Sequence, residues 1–183
     1  MKILLFGVSN VGKSTTGAIL ARRLGISFYD LDDEIKKKYG VSMEDFVNNV
    51  PLRERDRKRG VLVRKFIRKK EDLVLAVTPM TYIEYIEEKL YTPGVLAVEL
   101  YDSAENIFSR LIFTDENDNY VRDDEYRDQN KAYFMREILG DLNYYGRIFD
   151  RILVMHAFDM EGDPPERVVE RLLEKFFVPA EQD

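Results

Sequence analysis

One stretch constrains this chain more than any other. Gly7-Val8-Ser9-Asn10-Val11-Gly12-Lys13-Ser14 is an unbroken GxxxxGK[ST] pattern, preceded by the apolar run Ile3 to Phe6 and followed by Ala18, Ile19, Leu20, Ala21 and Leu24 at helical spacing. Strand, glycine-bearing turn and helix in that order make a phosphate-cradling unit of α/β folds. The glycines let the turn curl until successive N–H groups point inward, and the helix start adds partial positive charge. In this arrangement Gly7, Asn10, Val11 and Gly12 shape the loop, and Lys13 reaches the β- and γ-phosphates of a nucleoside triphosphate. The Ser14 hydroxyl ligates Mg²⁺ and Thr15 binds the α-phosphate.

The rest of the chain continues in the same style. Short apolar runs predict strands at Lys2 to Phe6, Ser27 to Tyr29, Leu73 to Val77, Val95 to Val98 and Ile152 to Met155. Between them lie helical patterns from Lys13 to Gly25, around Asp33 to Tyr39 and Met43 to Val47, along a charged stretch ending near Lys70, and from about Asp124 to Phe149. A last helix begins at Pro164 or Pro165, where proline suits the first turn. Strands separated by helices call for a parallel sheet with right-handed crossovers, so the expected fold is α/β, five parallel strands covered on both faces.

At 183 residues the chain fits one domain, residues 1–183. The polar run Thr114-Asp115-Glu116-Asn117-Asp118-Asn119 reads as an exposed loop, and residues 112–125 form a candidate lid. The chain has no cysteine, which removes disulfides, zinc–thiolate sites and thiol nucleophiles and suits a cytoplasmic setting. Acidic residues outnumber basic ones by 34 to 28, a net charge of -6, so a polyanion-binding surface is disfavoured and no nucleic-acid partner is expected. No apolar run approaches the ~20 residues of a membrane span. The expected partner is a small hydroxylated molecule, and the expected state a monomer or weak dimer.

Asn10 to Thr15 also fits the first motif of small GTPases. Those proteins read guanine through Asn-Lys-x-Asp, which this chain lacks, and its sole Asp-x-x-Gly, Asp159 to Gly162, comes far too late. From Gly7 to Phe46 the chain instead resembles the shikimate kinases, in which a strand carrying Asp-x-Asp follows the phosphate-loop helix. Here Phe28-Tyr29-Asp30-Leu31-Asp32-Asp33 and Gly40-Val41-Ser42-Met43 fit that layout. The resemblance implies a nucleoside-monophosphate-kinase-like, three-layer P-loop fold with a lid, and a kinase using ATP and Mg²⁺. It assigns Asp30 to the metal and Asp32 to the substrate hydroxyl, as catalytic group. It places Arg110 and Pro165 beside the adenine. Arg122, just after the acidic loop, is the lid arginine expected to close over the γ-phosphate. Independently of the family, two alternate aspartates at a strand end lie at the carboxyl edge of the sheet, where open α/β folds bind ligands. The same residues also suit a helix cap.

The chain departs from that family in two places. Val77-Thr78-Pro79-Met80 stands where the family has a Gly-Gly-Gly turn against the substrate, so Thr78 and Pro79 would form that wall. Asp141 stands where it has a substrate arginine, four residues before Tyr145. Pro51-Leu52-Arg53-Glu54-Arg55-Asp56-Arg57 resembles the gluconate kinases as much. Arg55 and Arg59 lie on the inward stripe before Leu62 and Val63, where one could clamp a substrate carboxylate. The alternatives are therefore a gluconate-type sugar-acid kinase and a nucleotide-binding regulatory protein without transfer activity. His156, the sole histidine, reads as structural.

Overall fold

The computed structural model describes residues 1–115, 119–152 and 154–177. Its central strand, β1 (Lys2–Phe6), is buried along its whole length and pairs in parallel with β3 (Leu73–Ala76) on one side and β4 (Val95–Tyr101) on the other. Burial on both faces explains why β1 reads as an apolar run instead of an alternation. With β2 (Ser27–Asp30) beyond β3 and a last strand, Met155–Asp159, beyond β4, the sheet has five parallel strands.

Alternate side chains of these strands feed two cores. Leu4, Phe6, Leu73, Leu75 and Ala97 meet α2 (Leu31–Tyr39), α3 (Met43–Asn49) and α4 (Leu52–Ile67). Ile3, Leu5, Val74, Val98 and Leu100 meet α1 (Lys13–Leu24) and α6 (Ala104–Ser109), which follows the short α5 (Glu87–Leu90). Helix α1 stops at Gly25, whose φ of 68° and N–H bonds to the Ala21 and Arg22 carbonyls close it. Ser42 and Ser103 cap α3 and α6 by accepting from Asp45 N and Asn106 N.

The candidate lid holds two short antiparallel strands, β5 (Phe113–Thr114) and β6 (Tyr120–Val121); its residues 116–118 lie outside the described residues. The helix expected from Asp124 to Phe149 is two helices, α7 (Asp124–Gln129) and α8 (Lys131–Phe149). Asn130 divides them: its side-chain amide donates to the Tyr126 carbonyl at 2.8 Å and closes α7 locally. The last strand, β7, runs Met155–Asp159, later than the Ile152 to Met155 expected. Ile152 is buried beneath the end of α8 and its carbonyl accepts from Met155 N, so those apolar residues make the turn into the strand. Helix α9 (Pro165–Phe176) packs beside α1. His156 is exposed on β7 with its ring 5.4 Å from Phe176. Among the described residues no helix is long and apolar enough to cross a membrane.

Candidate active site

The loop between β1 and α1 depends on backbone shapes that ordinary residues resist. Gly7 has φ 134°, and a Cβ there would sit 2.3 Å from the Leu100 carbonyl oxygen. Gly12 has φ 112° and Asn10 φ 59°, the latter in the left-handed region that asparagine tolerates best after glycine. These turns bring the Lys13 ammonium back over its own loop, donating to the Gly7 and Val8 carbonyls at 3.0 and 2.8 Å. Burial lowers the Lys13 pKa to about 8, against the opposing pull of Asp32 and Asp30.

The strand end at β2 supplies the acidic side. Asp30 caps α2 by accepting from Asp32 N at 2.9 Å through one oxygen, and its other oxygen accepts from the Ser14 hydroxyl at 2.5 Å. The helix cap and the expected metal-ligand position are thus one carboxylate. Asp32 accepts from Thr78 Oγ1 at 2.5 Å. Burial pushes the Asp32 carboxyl above the usual range; Thr78, Arg59 and Lys13 pull it down and Asp30 adds to the rise.

A cleft of about 650 Å³ joins these groups. Asn10, Gly12, Lys13, Ser14 and Thr15 form its floor, Asp30, Asp32, Thr78 and Pro79 one wall, and Arg110 and Pro165 the other. Gly7 and Val11 lie under the floor, with Val11 fully buried. Arg122 borders the cleft, largely exposed, with its Nε on the Asp124 carboxylate at 3.0 and 3.1 Å.

Arg55 and Arg59 are not among the lining residues. Arg59 is 6% exposed and donates to Asp56 Oδ1 at 2.9 Å, while its Nε has no partner among the described residues. It is near enough to Asp32 to affect the carboxylate's titration. Arg55 is half-buried, and its Nε also has no partner.

Two aspartates that sequence reasoning missed organise the walls. Asp56, fully buried, holds Arg59 with one oxygen and the Thr81 and Tyr82 N–H groups, at 2.9 and 3.0 Å, with the other. It thereby ties α4 to the turn that carries Thr78. Asp102, just after β4, does the same for Arg110. A second cavity, of about 300 Å³, shares Ser9, Asn10 and Ile112 with the cleft and reaches Glu137 and Asp141 on α8, between Phe113, Tyr133 and Phe134. Tyr145, one turn beyond Asp141, is hydrogen-bonded to the Thr81 side chain.

The sequence pattern of the shikimate kinases matches residues 9–175. The chain belongs to the shikimate kinase family. Within that family's reach, a shikimate kinase from Aquifex aeolicus is 49% identical over 43 residues, 24% of this chain and 26% of the relative. A probable gluconokinase from Mus musculus is 46% identical over 55 residues, 30% of this chain and 28% of its own. The chain thus spans under a third of the length of these relatives. The fold extends further: a shikimate kinase structure from Bacteroides thetaiotaomicron superposes with a TM-score of 0.76 at 19% identity, over 97% of this chain and 99% of that one. The five-stranded sheet is therefore that of the P-loop kinases.

Proposed function

We propose that this protein is a small-molecule kinase, moving the γ-phosphate of ATP onto a hydroxyl of a small metabolite. The observation that carries the reading is the convergence, in one cleft, of Lys13, the Ser14–Asp30 pair and the Asp32–Thr78 pair. Ser14 and Asp30 offer a hydroxyl and a carboxylate oxygen side by side, the hard oxygen donors that suit Mg²⁺. When bound, the ion would neutralise charge on the β- and γ-phosphates.

The chain's own residues do the remaining work. Loop N–H groups and Lys13 bind the phosphates, and Lys13 exchanges its two carbonyl partners for phosphate oxygens. Asp32, its carboxylate steered by Thr78, orients the acceptor hydroxyl and takes its proton; its raised pKa makes it a better base than an exposed aspartate. Arg110 and Pro165 flank the base. Residues 112–125 act as a lid, with Arg122 closing over the γ-phosphate to exclude water.

The acceptor belongs to the class of polyhydroxy acids named in the relatives, shikimate or gluconate. An ATP-consumption screen over hydroxylated acids, sugars and nucleosides, with Lys13→Ala as the control, tests the reading. Absence of Lys13-dependent turnover with every acceptor would remove it.

A further inference from the structure

Asp102 is 5% exposed and uses both of its oxygens fully. Oδ1 accepts from its neighbour's N–H, Ser103 N, at 2.8 Å and from Asn106 Nδ2 at 2.6 Å; Oδ2 accepts from Arg110 Nη2 at 2.6 Å and from Gly162 N at 3.2 Å. Gly162 is 60 residues away in sequence and belongs to the turn between β7 and α9. It has φ 71°, and a Cβ there would lie 2.7 Å from the Asn106 amide nitrogen. The turn therefore approaches α6 as closely as a bare backbone permits.

These four bonds gather the two sides of one wall. Arg110 lines the cleft from the end of α6; Met160, Asp163 and Pro165 line it from the turn that Gly162 belongs to. Burial by itself would push the Asp102 carboxyl up, but the bonds from Asn106, Arg110 and Ser103 N hold it below the usual range. It therefore stays an anion opposite Arg110 at neutral pH. Arg110 is 27% exposed where it lines the cleft, and Asp102 fixes its Nη2. A guanidinium fixed along one edge has little freedom left to lose on meeting a planar ligand, and so is preorganised for one.

We propose that Asp102 is a positioning residue for the nucleotide base, acting through Arg110 and the turn at Gly162 and leaving the triphosphate to the loop. The proposal rests on the reading that a nucleotide lies in the cleft with its base between Arg110 and Pro165. It predicts a separation between the two parts of the ligand. A group that only kept the fold intact would weaken both together.

The test is calorimetric titration of Mg-ATP and of Mg-tripolyphosphate, which has no base, into the wild type and Asp102→Asn. The expected result is a loss of about tenfold in ATP affinity with tripolyphosphate within about twofold. Arg110→Ala should give the same split, and the double variant should lose little more than either single one, because both act through one contact. Equal losses for the two ligands, or no loss for either, overturn the proposal. So does a wild type that binds ATP no better than tripolyphosphate, although the phosphate loop then stands. A wild type that binds neither removes the kinase reading and this inference with it. Should Asp102→Asn fail to fold, Arg110→Ala decides alone: an unchanged preference for ATP over tripolyphosphate sinks the idea.

Discussion

Ser14 and Asp30, 16 residues apart in sequence, meet through a 2.5 Å hydrogen bond from the serine hydroxyl to the carboxylate. The bond joins the first turn of α1 to the end of β2, across the floor of the cleft. It sets two oxygen donors side by side, at the position proposed above for Mg²⁺. The second Asp30 oxygen is committed to capping α2, so the carboxylate is held from both sides.

This geometry makes Asp30→Asn an informative change. Asparagine caps a helix as well as aspartate does, so α2 should survive. The loss is of one anionic donor, and the Mg²⁺ concentration for half-maximal rate should rise by about tenfold or more. Titrating the metal at saturating ATP measures it, and an unchanged requirement moves the ligand elsewhere.

Lys13 should give ATP binding a pH dependence. With its pKa lowered to about 8, the side chain is charged below that value and increasingly neutral above it. ATP affinity should therefore fall as pH rises from 7 to 9, and Lys13→Ala should bind weakly and evenly across that range. Turnover of Lys13→Ala should drop by about 100-fold or more, with the fold intact by circular dichroism. A flat wild-type profile would show that the loop holds its lysine charged by other means.

The wall at Val77-Thr78-Pro79-Met80 bears on the acceptor. Val77 and Met80 are buried, Pro79 has no N–H to offer, and Thr78 is spent on Asp32. The neighbouring cavity carries Glu137 and Asp141 and, among the described residues that line it, no basic one. Turnover on shikimate should therefore be weak, below the ordinary range of kcat/KM of about 10⁴ M⁻¹s⁻¹. Asp32→Asn should abolish transfer to whichever acceptor is used while leaving the KM for ATP within about threefold. Efficient phosphorylation of shikimate would show that other side chains grip it.

Glu99 offers a test of stability. Half-buried in β4 opposite Phe6 and Ala157, it has its carboxyl pushed up to about 7 by burial first and by Asp150 second. The folded state thus holds a proton between pH 4.5 and 7 that the unfolded chain releases, and stability attributable to this group declines as pH rises through that window. Glu99→Gln should be more stable than the wild type at pH 8, by about 1–2 kcal/mol and so with a higher melting temperature, and differ little near pH 4. Melting curves at the two pH values settle it; equal shifts at both would assign the effect to packing.

What could be read from the sequence was local. The phosphate loop, the strand before it, the end of α1 at Gly25 and the pair Asp30 and Asp32 each announce themselves within a few residues, because turns, caps and strand ends have short-range chemistry. Asp56 and Asp102 do not. Their partners at Thr81, Tyr82 and Gly162 lie 25, 26 and 60 residues away, and Asp56 sits inside a run of charges where a solvated face is the ordinary reading. The shift of the last strand has the same origin. Ile152 is apolar because it fills the core below α8, which periodicity cannot tell from a place in the sheet.

Gly7 rests its backbone on the Leu100 carbonyl, with no room for a side chain between them. The phosphate loop, at the end of β1, therefore leans on the end of β4, the strand that leads into Asp102, whereas Asp32 and Thr78 follow β2 and β3. The two halves of the cleft thus hang from different strands, and the Ser14–Asp30 bond ties one to the other across the floor.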